Sequence, residues 1–542
     1  MAVDVLTTTH EVTNQPPPLV DYDLYSSNRP LVEALEREGG GWARDRAAEV
    51  GRAWGAREVQ EWGRLANENP PRLRTHDRYG NRIDEVEFHP SYHQLMALSS
   101  EHELHSLPWT TEREGGQVVR AALTMSAQAD AGHGCPITMT CAAIPALRST
   151  PEIAAEWEPL LMARAYDGEL RPAHEKGSAK CGMAMTEKQG GSDVRANSTR
   201  AQAEGDWWRI TGHKWFCSAP MCDLFLVLAQ TDEGVTCFAV PRILPDGSRN
   251  TFRLQRLKDK LGNRSNASSE VEFAGTYGRL LGEPGRGVRT IIEMVIHTRL
   301  DCTIGSAAGM RVAVANATWH AAHRSAFGKL LIDQPLMTNV LADLCVESEA
   351  ATALAMRLAR AYDEDDAPIR RLGTAVGKYW VCKRFPGLAV EAMECLGGNG
   401  YVEESGMPRI YREAPLNSIW EGSGNVNALD VLRALAKAPA LLEGFLAEVE
   451  LAAGADARLD AFVTRLRDEL ADGEALETRA RRVVERMALA LQGSLLVRHA
   501  PAAVADAFCA SRLDGDAGLA YGTLPPGIDT RAIVERHLPP LH

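Results

Sequence analysis

MAMTEKQGGSDV, the stretch from Met183 to Val194, follows an apolar segment, and GHKWFCSA, from Gly212 to Ala219, comes some twenty residues after it. Small and hydroxylated residues on a turn offer backbone N–H groups and short hydroxyl donors to a polar ring or a phosphate. The second stretch places an aromatic ring and a hydroxyl where both could face one ligand. Taken alone, each also fits a structural explanation: a capped turn for the first and core packing for the second.

The region around these two stretches is rich in short β-forming runs separated by turn residues, which predicts a β domain. The runs are Trp207 to Ile210, Leu224 to Ala229, Thr236 to Val240 and Glu270 to Phe273. Helix formers dominate before this region, and apolar residues return at helical spacing after it, as in Ile292, Val295, Ile296 and Leu300. The fold class is therefore α+β. The predicted domains are an N-terminal helical domain (1–180), a middle β-barrel or sandwich domain (181–285), a helical bundle (286–437) and a C-terminal helical extension (438–542).

The composition of the 542-residue chain is that of a globular protein, with 45% hydrophobic and 24% charged residues. Its net charge of −13 repels phosphate polyanions and anionic lipid. No apolar run approaches the ~20 residues that span a bilayer, and Met1 to Gln15 lacks a signal pattern, so we expect a cytoplasmic protein without membrane contact. Neither the scattered cysteines nor the histidine pairs His102/His105 and His320/His323 predict a metal site.

Taken in order, the two stretches resemble the flavin signatures of the acyl-CoA dehydrogenase superfamily. Four further motifs and one single residue match in family order: RSAFGK from Arg324 with Gln334, GGNGY from Gly397, RIYR from Arg409 and IWEGSGN from Ile419. The AidB (alkylation-response) branch is indicated by TEKQGGS from Thr186, the WEGSGN form of the last motif, Asn14-Gln15-Pro16, CPITMT from Cys135 and the long C-terminal extension. The resemblance covers essentially the whole chain.

The resemblance implies non-covalently bound FAD in a homotetramer. Met183, Met185, Thr186, Gly191 and Ser192 would contact the isoalloxazine and the phosphates, and Phe216 and Ser218 would flank the ring, with the hydroxyl near N5. Arg324, Phe327 and Gln334 would reach the FAD of a neighbouring subunit. The remaining cofactor residues implied are Gly397, Gly398, Trp420, Gly422, Ser423, Gly424 and Asn425. A flavin needs donors around its ring and positive charge or N–H groups at its pyrophosphate.

Glu421 occupies the position where many family dehydrogenases keep the base that removes the α-proton of an acyl thioester while hydride leaves Cβ. Ile419 and Trp420 could desolvate this carboxylate and raise its pKa, as a base requires. The alternative is that Glu421 only caps the helix from Ser423 to Leu435. Glu394 and Ala219 depart from common family residues and argue against efficient oxidation of ordinary acyl-CoA.

AidB proteins are associated with alkylation stress and duplex DNA. From Ala440 to His542 there are 11 Arg and 16 Asp+Glu, so 11 − 16 = −5, which argues against strong DNA binding. Arg479, Arg481, Arg482 and Arg486 form the one basic cluster, which could instead make intrahelical or intersubunit ion pairs. Three hypotheses follow: an FAD-dependent acyl-CoA dehydrogenase-like oxidoreductase acting on CH–CH groups, a DNA-associated flavoprotein that protects against alkylation, and a flavin-stabilised scaffold.

Overall fold

The computed structural model describes residues 9–540. Residues 1–8, which contribute to the expectation about targeting, lie outside the described part, as do residues 541 and 542. The predicted α+β class is confirmed: helices surround a middle domain of β-strands. Within residues 9–540, none of the helices combines the length and the apolar composition needed to cross a bilayer.

The N-terminal region contains eight helices and one β-hairpin. The helices are α1 (Arg29–Arg37), α2 (Arg44–Gly55), α3 (Arg57–Glu68), α4 (Pro90–Glu101), α5 (Leu107–Thr110), α6 (Gly116–Ser126), α7 (Gly134–Leu147) and α8 (Pro151–Leu161). The hairpin consists of β1 (Arg72–His76) and β2 (Arg82–Glu87). We did not predict this hairpin, because β1 carries a polar sequence and buries none of its residues fully.

The middle domain is a seven-stranded sheet that closes into a barrel, because the strand at one end of the strand order also pairs with a strand near the other end. Its strands are β3 (Cys181–Ala184), β4 (Arg200–Glu204), β5 (Trp207–Ser218), β6 (Leu224–Thr231), β7 (Gly234–Pro241), β8 (Phe252–Leu257) and β9 (Ser268–Leu281). Strand β7 pairs with β6 on one side and β9 on the other. Three of the strands, β3, β4 and β8, were not among the predicted runs.

The pairing of β5 with β9 explains why Phe216 leaves the barrel core. The register shifts between Lys214 and Cys217, so the strand bulges there. A bulge interrupts the alternation of side chains and redirects one of them. Cys217 is fully buried, while the neighbouring Phe216 is 54% exposed.

The following region consists of long helices packed around α9 (Gly287–His323). The other helices are α10 (Pro335–Asp363), α11 (Thr374–Glu394), α12 (Gly398–Tyr401), α13 (Met407–Glu413) and α14 (Gly424–Lys437), with a short hairpin of β10 (Ser325–Ala326) and β11 (Lys329–Leu330) after α9. Gly309 lets α11 approach α9 closely, because a Cβ atom there would lie 2.3 Å from the ring of Phe385.

The C-terminal region adds five helices to this bundle: α15 (Ala440–Val449), α16 (Ala457–Ala471), α17 (Leu476–His499), α18 (Ala502–Phe508) and α19 (Thr530–His537). The first part of the predicted C-terminal helical extension is thus three separate helices. It breaks at Gly454, which has φ +79°, and again at Ala475, which has φ +50°. Helix α17 packs on α10, α11 and α14, so the extension shares the core of the bundle.

Candidate active site

A cavity of about 1560 Å³ lies between the N-terminal helices, the β-barrel and the helices from α9 to α14. Pockets for one small ligand usually enclose about 300–1,000 Å³, so this cavity has room for a cofactor and a second ligand. It brings together eleven of the residues predicted from the sequence: Met183, Met185, Thr186, Gly191, Ser192, Phe216, Ser218, Trp420, Glu421, Gly422 and Ser423.

Glu187 anchors the loop that carries the first flavin signature. Its carboxylate is fully buried and lies 2.9 Å from the Lys214 ammonium on β5. It also accepts hydrogen bonds from the backbone N–H groups of Ser198 (2.7 Å) and Thr199 (3.1 Å). Burial alone would raise the pKa of Glu187, but the hydrogen bonds and the charge of Lys214 hold that pKa well below its usual range. A charged, fully partnered Glu187 therefore fixes the Thr186-to-Ser192 turn at the cavity wall.

Three large apolar side chains of the cavity wall are left exposed: Phe216, Leu261 and Ile419. Phe216 is 54% exposed and Ile419 is 63% exposed, and both line the cavity. Ser218, two residues after Phe216 on β5, also faces this space. Apolar surface next to a few hydroxyl and N–H donors is the environment that a planar, polar-edged ring such as a flavin requires.

Glu421 lies in the left-handed region with φ +56°, an uncommon conformation for a residue other than glycine. One carboxylate oxygen accepts a hydrogen bond of 2.7 Å from the hydroxyl of Thr298 on α9. Burial raises the pKa of Glu421, and the bond from Thr298 partly opposes that rise. Helix α14 begins at Gly424, with Ser423 as its N-cap and no acidic residue in its first turn. No side-chain hydrogen bond caps this helix, so Glu421 does not cap α14 by hydrogen bonding.

Three buried side chains hold the backbone of the turn that carries Glu421. Arg299 donates from Nε to the carbonyl oxygen of Glu421 at 2.9 Å. Lys378 donates from Nζ to the carbonyl oxygens of Trp420 (2.7 Å) and Gly422, and Asn427 donates to that of Gly422 at 2.6 Å. Charge-assisted hydrogen bonds of this kind are the strong ones, so they offset the strain of the left-handed turn.

Thr298, Arg299 and Lys378 were not predicted from the sequence. The available signal was a charged or polar residue inside an otherwise apolar helical pattern, because such groups are rarely buried without a partner. Arg299 and Lys378 are 6% and 1% exposed.

Seven predicted cofactor residues do not line the cavity: Arg324, Phe327, Gln334, Gly397, Gly398, Gly424 and Asn425. The first three belong to or flank the β10–β11 hairpin. Phe327 at its tip is fully exposed, with φ +54°. Arg324 donates to the carbonyl oxygen of Asn14 at 2.5 Å, and Gln334 donates to that of Ala326 at 3.1 Å. The hairpin thus presents its predicted contacts away from the cavity of its own chain.

The four arginines of α17 have two kinds of surroundings. Arg479, Arg482 and Arg486 all pair with Glu469 on α16, with 3.8 Å for Arg479 and 3.1 Å for Arg482. Arg481 instead donates to the Tyr379 hydroxyl at 3.2 Å. Three of the four thus make ion pairs, but these pairs join α17 to α16 of the same chain and are neither the intrahelical nor the intersubunit pairs of the alternative. Among residues 9–540, no group of three or more His, Cys, Asp or Glu side chains is placed to hold a metal ion.

Comparison with protein families gives three matches along the chain. The AidB adaptive-response N-terminal domain matches residues 14–168, the middle domain of acyl-CoA dehydrogenases matches residues 182–276, and their C-terminal domain matches residues 285–436. The AidB protein of Escherichia coli (strain K12) is 47% identical over 522 residues, which cover 94% of this chain and 96% of that protein. Acyl-CoA dehydrogenase family member 11 of Caenorhabditis elegans is 29% identical over 518 residues, covering 88% of this chain and 82% of that protein.

Among solved structures, C. elegans ACDH-11 in complex with C11-CoA superposes with a TM-score of 0.85 at 25% identity and covers 95% of each chain. The chain belongs to the acyl-CoA dehydrogenase family, whose members are FAD-dependent oxidoreductases that act on CH–CH groups. Within that family it is of the AidB type.

Proposed function

We propose that Glu421 is the base that removes the α-proton of an acyl thioester in this active site. The observation that carries the proposal is a carboxylate in the cavity wall whose pKa is raised by burial, in a turn fixed by Arg299 and Lys378. A carboxylate with a raised pKa is a stronger base and is suited to proton abstraction near neutral pH. Thr298 orients the accepting oxygens through its 2.7 Å hydrogen bond.

The test is an anaerobic titration of the purified yellow protein with acyl-CoAs of increasing chain length. Bleaching of the flavin by at least one of them is the expected result. If none bleaches the flavin, dehydrogenation is not the reaction, and a protective flavoprotein becomes the better hypothesis.

The residues that we propose to bind the cofactor line the same cavity. FAD, when bound, supplies the two-electron acceptor for the hydride that leaves Cβ of the substrate. Met185, Thr186 and Ser192 would hold its ring edge and phosphates, while Phe216 and Ser218 would flank its other side. The exposed apolar side chains and the rigid signature loop support this fit. We expect about one FAD per subunit, released by acid or heat.

We further propose that the protein is a homotetramer in which the β10–β11 hairpin completes a neighbour's cofactor site. The fully exposed Phe327 at the hairpin tip supports this, since a large exposed aromatic side chain is typical of an interface. Gly397 and Gly398 would bind the cofactor at the same boundary between subunits. The eleven free cysteines are consistent with a cytoplasmic location.

Weak binding of duplex DNA is the alternative role, and Arg481 and Arg482 are the exposed members of the cluster that could serve it. Replacing both by Glu should then lower DNA affinity and reduce the log–log salt slope by about 0.9 per lost phosphate contact. Arg479→Glu is a less clean probe, because Arg479 is half-buried and also donates to the backbone carbonyl oxygens of Asp472 and Glu474. Unchanged affinity after Arg481→Glu/Arg482→Glu would exclude this surface.

A further inference from the structure

Arg409, on α13, is a half-buried cation of the cavity wall whose Nη1 nitrogen has no hydrogen-bond partner within residues 9–540. This nitrogen is also inaccessible to solvent. No carboxylate of these residues lies within 4 Å of its guanidinium. Arg412, one turn later on the same helix, is fully paired: it contacts the two oxygens of Glu403 at 2.6 and 2.9 Å.

The nearby carboxylates are already engaged by other groups. Asp130, Glu413 and Glu68 are the acidic groups whose charges act on Arg409. Asp130 accepts hydrogen bonds from the N–H of His133 (2.9 Å) and the hydroxyl of Ser265 (2.7 Å). Glu413 accepts two from Asn263, at 2.7 and 2.8 Å. Neither of these two carboxylates pairs with Arg409.

The unpartnered nitrogen of Arg409 suits an anion bound in the cavity. Partial burial lowers the pKa of Arg409, but a guanidinium stays charged in proteins. A donor nitrogen that is inaccessible to solvent and lacks a hydrogen bond is unfavourable, so such a nitrogen is normally paired. The planar fork of a guanidinium matches carboxylate and phosphate oxygens, which it binds with two parallel hydrogen bonds.

We propose that Arg409 binds an oxyanion group of the acyl-CoA ligand. This inference rests on the proposed function, because it takes the ligand of the cavity to be an acyl-CoA. Two parts of such a ligand carry the required chemistry: the phosphates of the CoA moiety and a carboxylate at the far end of a dicarboxylic acyl chain. Arg409 would act in binding and selection of the ligand, and Glu421 in the proton transfer.

The experiment measures ligand binding by the FAD-loaded protein in a Glu421→Gln background, so that turnover does not interfere. Calorimetry and the change in flavin absorbance report affinity for three kinds of probe. They are saturated acyl-CoAs with four to twelve carbons, the matching acyl-pantetheines without phosphates, and ω-carboxyacyl-CoAs of the same lengths. Each is titrated into Arg409→Met, Arg409→Lys and the matched control Arg412→Met, which removes a charge that is already neutralised by Glu403.

Arg409→Met should weaken binding of the relevant ligand by about tenfold to a hundredfold, as expected for losing a charge-assisted hydrogen bond. Arg409→Lys should restore part of this loss, and Arg412→Met should change affinity less than about threefold. A loss for all CoA esters but not for pantetheines identifies a phosphate. A loss confined to ω-carboxyacyl-CoAs identifies the terminal carboxylate.

Equal affinity of Arg409→Met and its Glu421→Gln parent for every probe would overturn the inference and leave the proposed function intact. If no acyl-CoA binds the Glu421→Gln parent or the wild-type protein, both fail together. Should Arg409→Met not fold, Arg409→Lys alone decides: it keeps the charge but loses the fork. Wild-type affinity of Arg409→Lys for all probes would then contradict bidentate binding.

Discussion

The turn around Glu421 and the hairpin around Phe327 both contain a non-glycine residue in the left-handed region, with φ +56° and +54°. They differ in what holds them. The Glu421 turn is held by Arg299, Lys378 and Asn427, whose hydrogen bonds satisfy its carbonyl oxygens. The hairpin tip is fully exposed at Phe327, and the next residue, Gly328, has open space around its Cα. Strain is tolerated only where surrounding structure compensates for it.

The difference concerns whether the contacts that stabilise each element come from its own chain. The Glu421 turn finds its compensating contacts inside the chain, so its geometry is complete in one subunit. The hairpin finds few such contacts, which supports the proposal that a neighbouring subunit compensates its strain and covers its exposed aromatic ring. Each of the following predictions would break or sharpen this contrast.

The largest effect is expected for Glu421→Gln. The amide keeps the size and hydrogen-bonding ability of the side chain but cannot accept the α-proton. Reduction of the flavin by substrate should therefore fall by roughly 10²-fold or more, while FAD content and ligand affinity persist. Anaerobic rapid mixing measures the reduction rate. An unchanged rate with a substrate that bleaches the wild type would remove Glu421 from the mechanism.

Lys378→Met tests whether the turn is held from inside the chain. The substitution leaves the carbonyl oxygens of Trp420 and Gly422 without their charged donor, and losing such bonds should lower the free energy of unfolding by about 2–3 kcal/mol. Lys383→Met is the matched control. Lys383 lies on the same helix but makes no hydrogen bond or ion pair within the described part of the chain, so its removal should cost less than about 0.5 kcal/mol. Equal stabilities of the two variants in urea would show that the turn does not depend on Lys378.

Much of the fold and of the candidate site could be predicted from the sequence. Residue patterns predicted one part of it and the family motifs predicted the other. The β runs and the helical spacing gave the fold class, and the motifs gave Glu421, Thr186 and Phe216 as cavity residues. Strands β3 and β4 were missed because β3 is short and β4 is polar, so alternation is weak over a few residues. Strand β8 does alternate apolar and polar residues and was overlooked. The apolar surroundings of Arg299 and Lys378 in the sequence signal burial, but the groups that they bind, the Glu421 turn and Asp430, are distant in sequence and leave no local pattern.

Phe327→Ala tests whether the β10–β11 hairpin packs against a neighbouring subunit. Within one subunit the side chain is fully exposed, so the free energy of unfolding of the isolated chain should change by less than about 0.5 kcal/mol. If the ring packs against a neighbour, assembly and FAD retention should both weaken, by about tenfold for an interface aromatic. Light scattering and FAD content measure the two effects. Tyr79→Ala, which removes another exposed aromatic at a hairpin turn, is the control and should alter neither. A monomer that retains tight FAD would refute the shared site.

The smallest effect is expected for Thr298→Val, which removes one hydrogen bond to the Glu421 carboxylate and keeps the shape of the side chain. That bond favours the charged carboxylate and therefore lowers its pKa, so its loss should raise the pKa of Glu421 further. A base is active only when deprotonated, so the acidic limb of the pH dependence of flavin reduction should move to higher pH. At high pH, where Glu421 is charged in both proteins, the rates should differ by less than about tenfold. Thr298→Ser keeps the hydroxyl and should retain the wild-type profile. Identical pH profiles for Thr298→Val and the wild type would mean that the hydrogen bond positions Glu421 without setting its basicity.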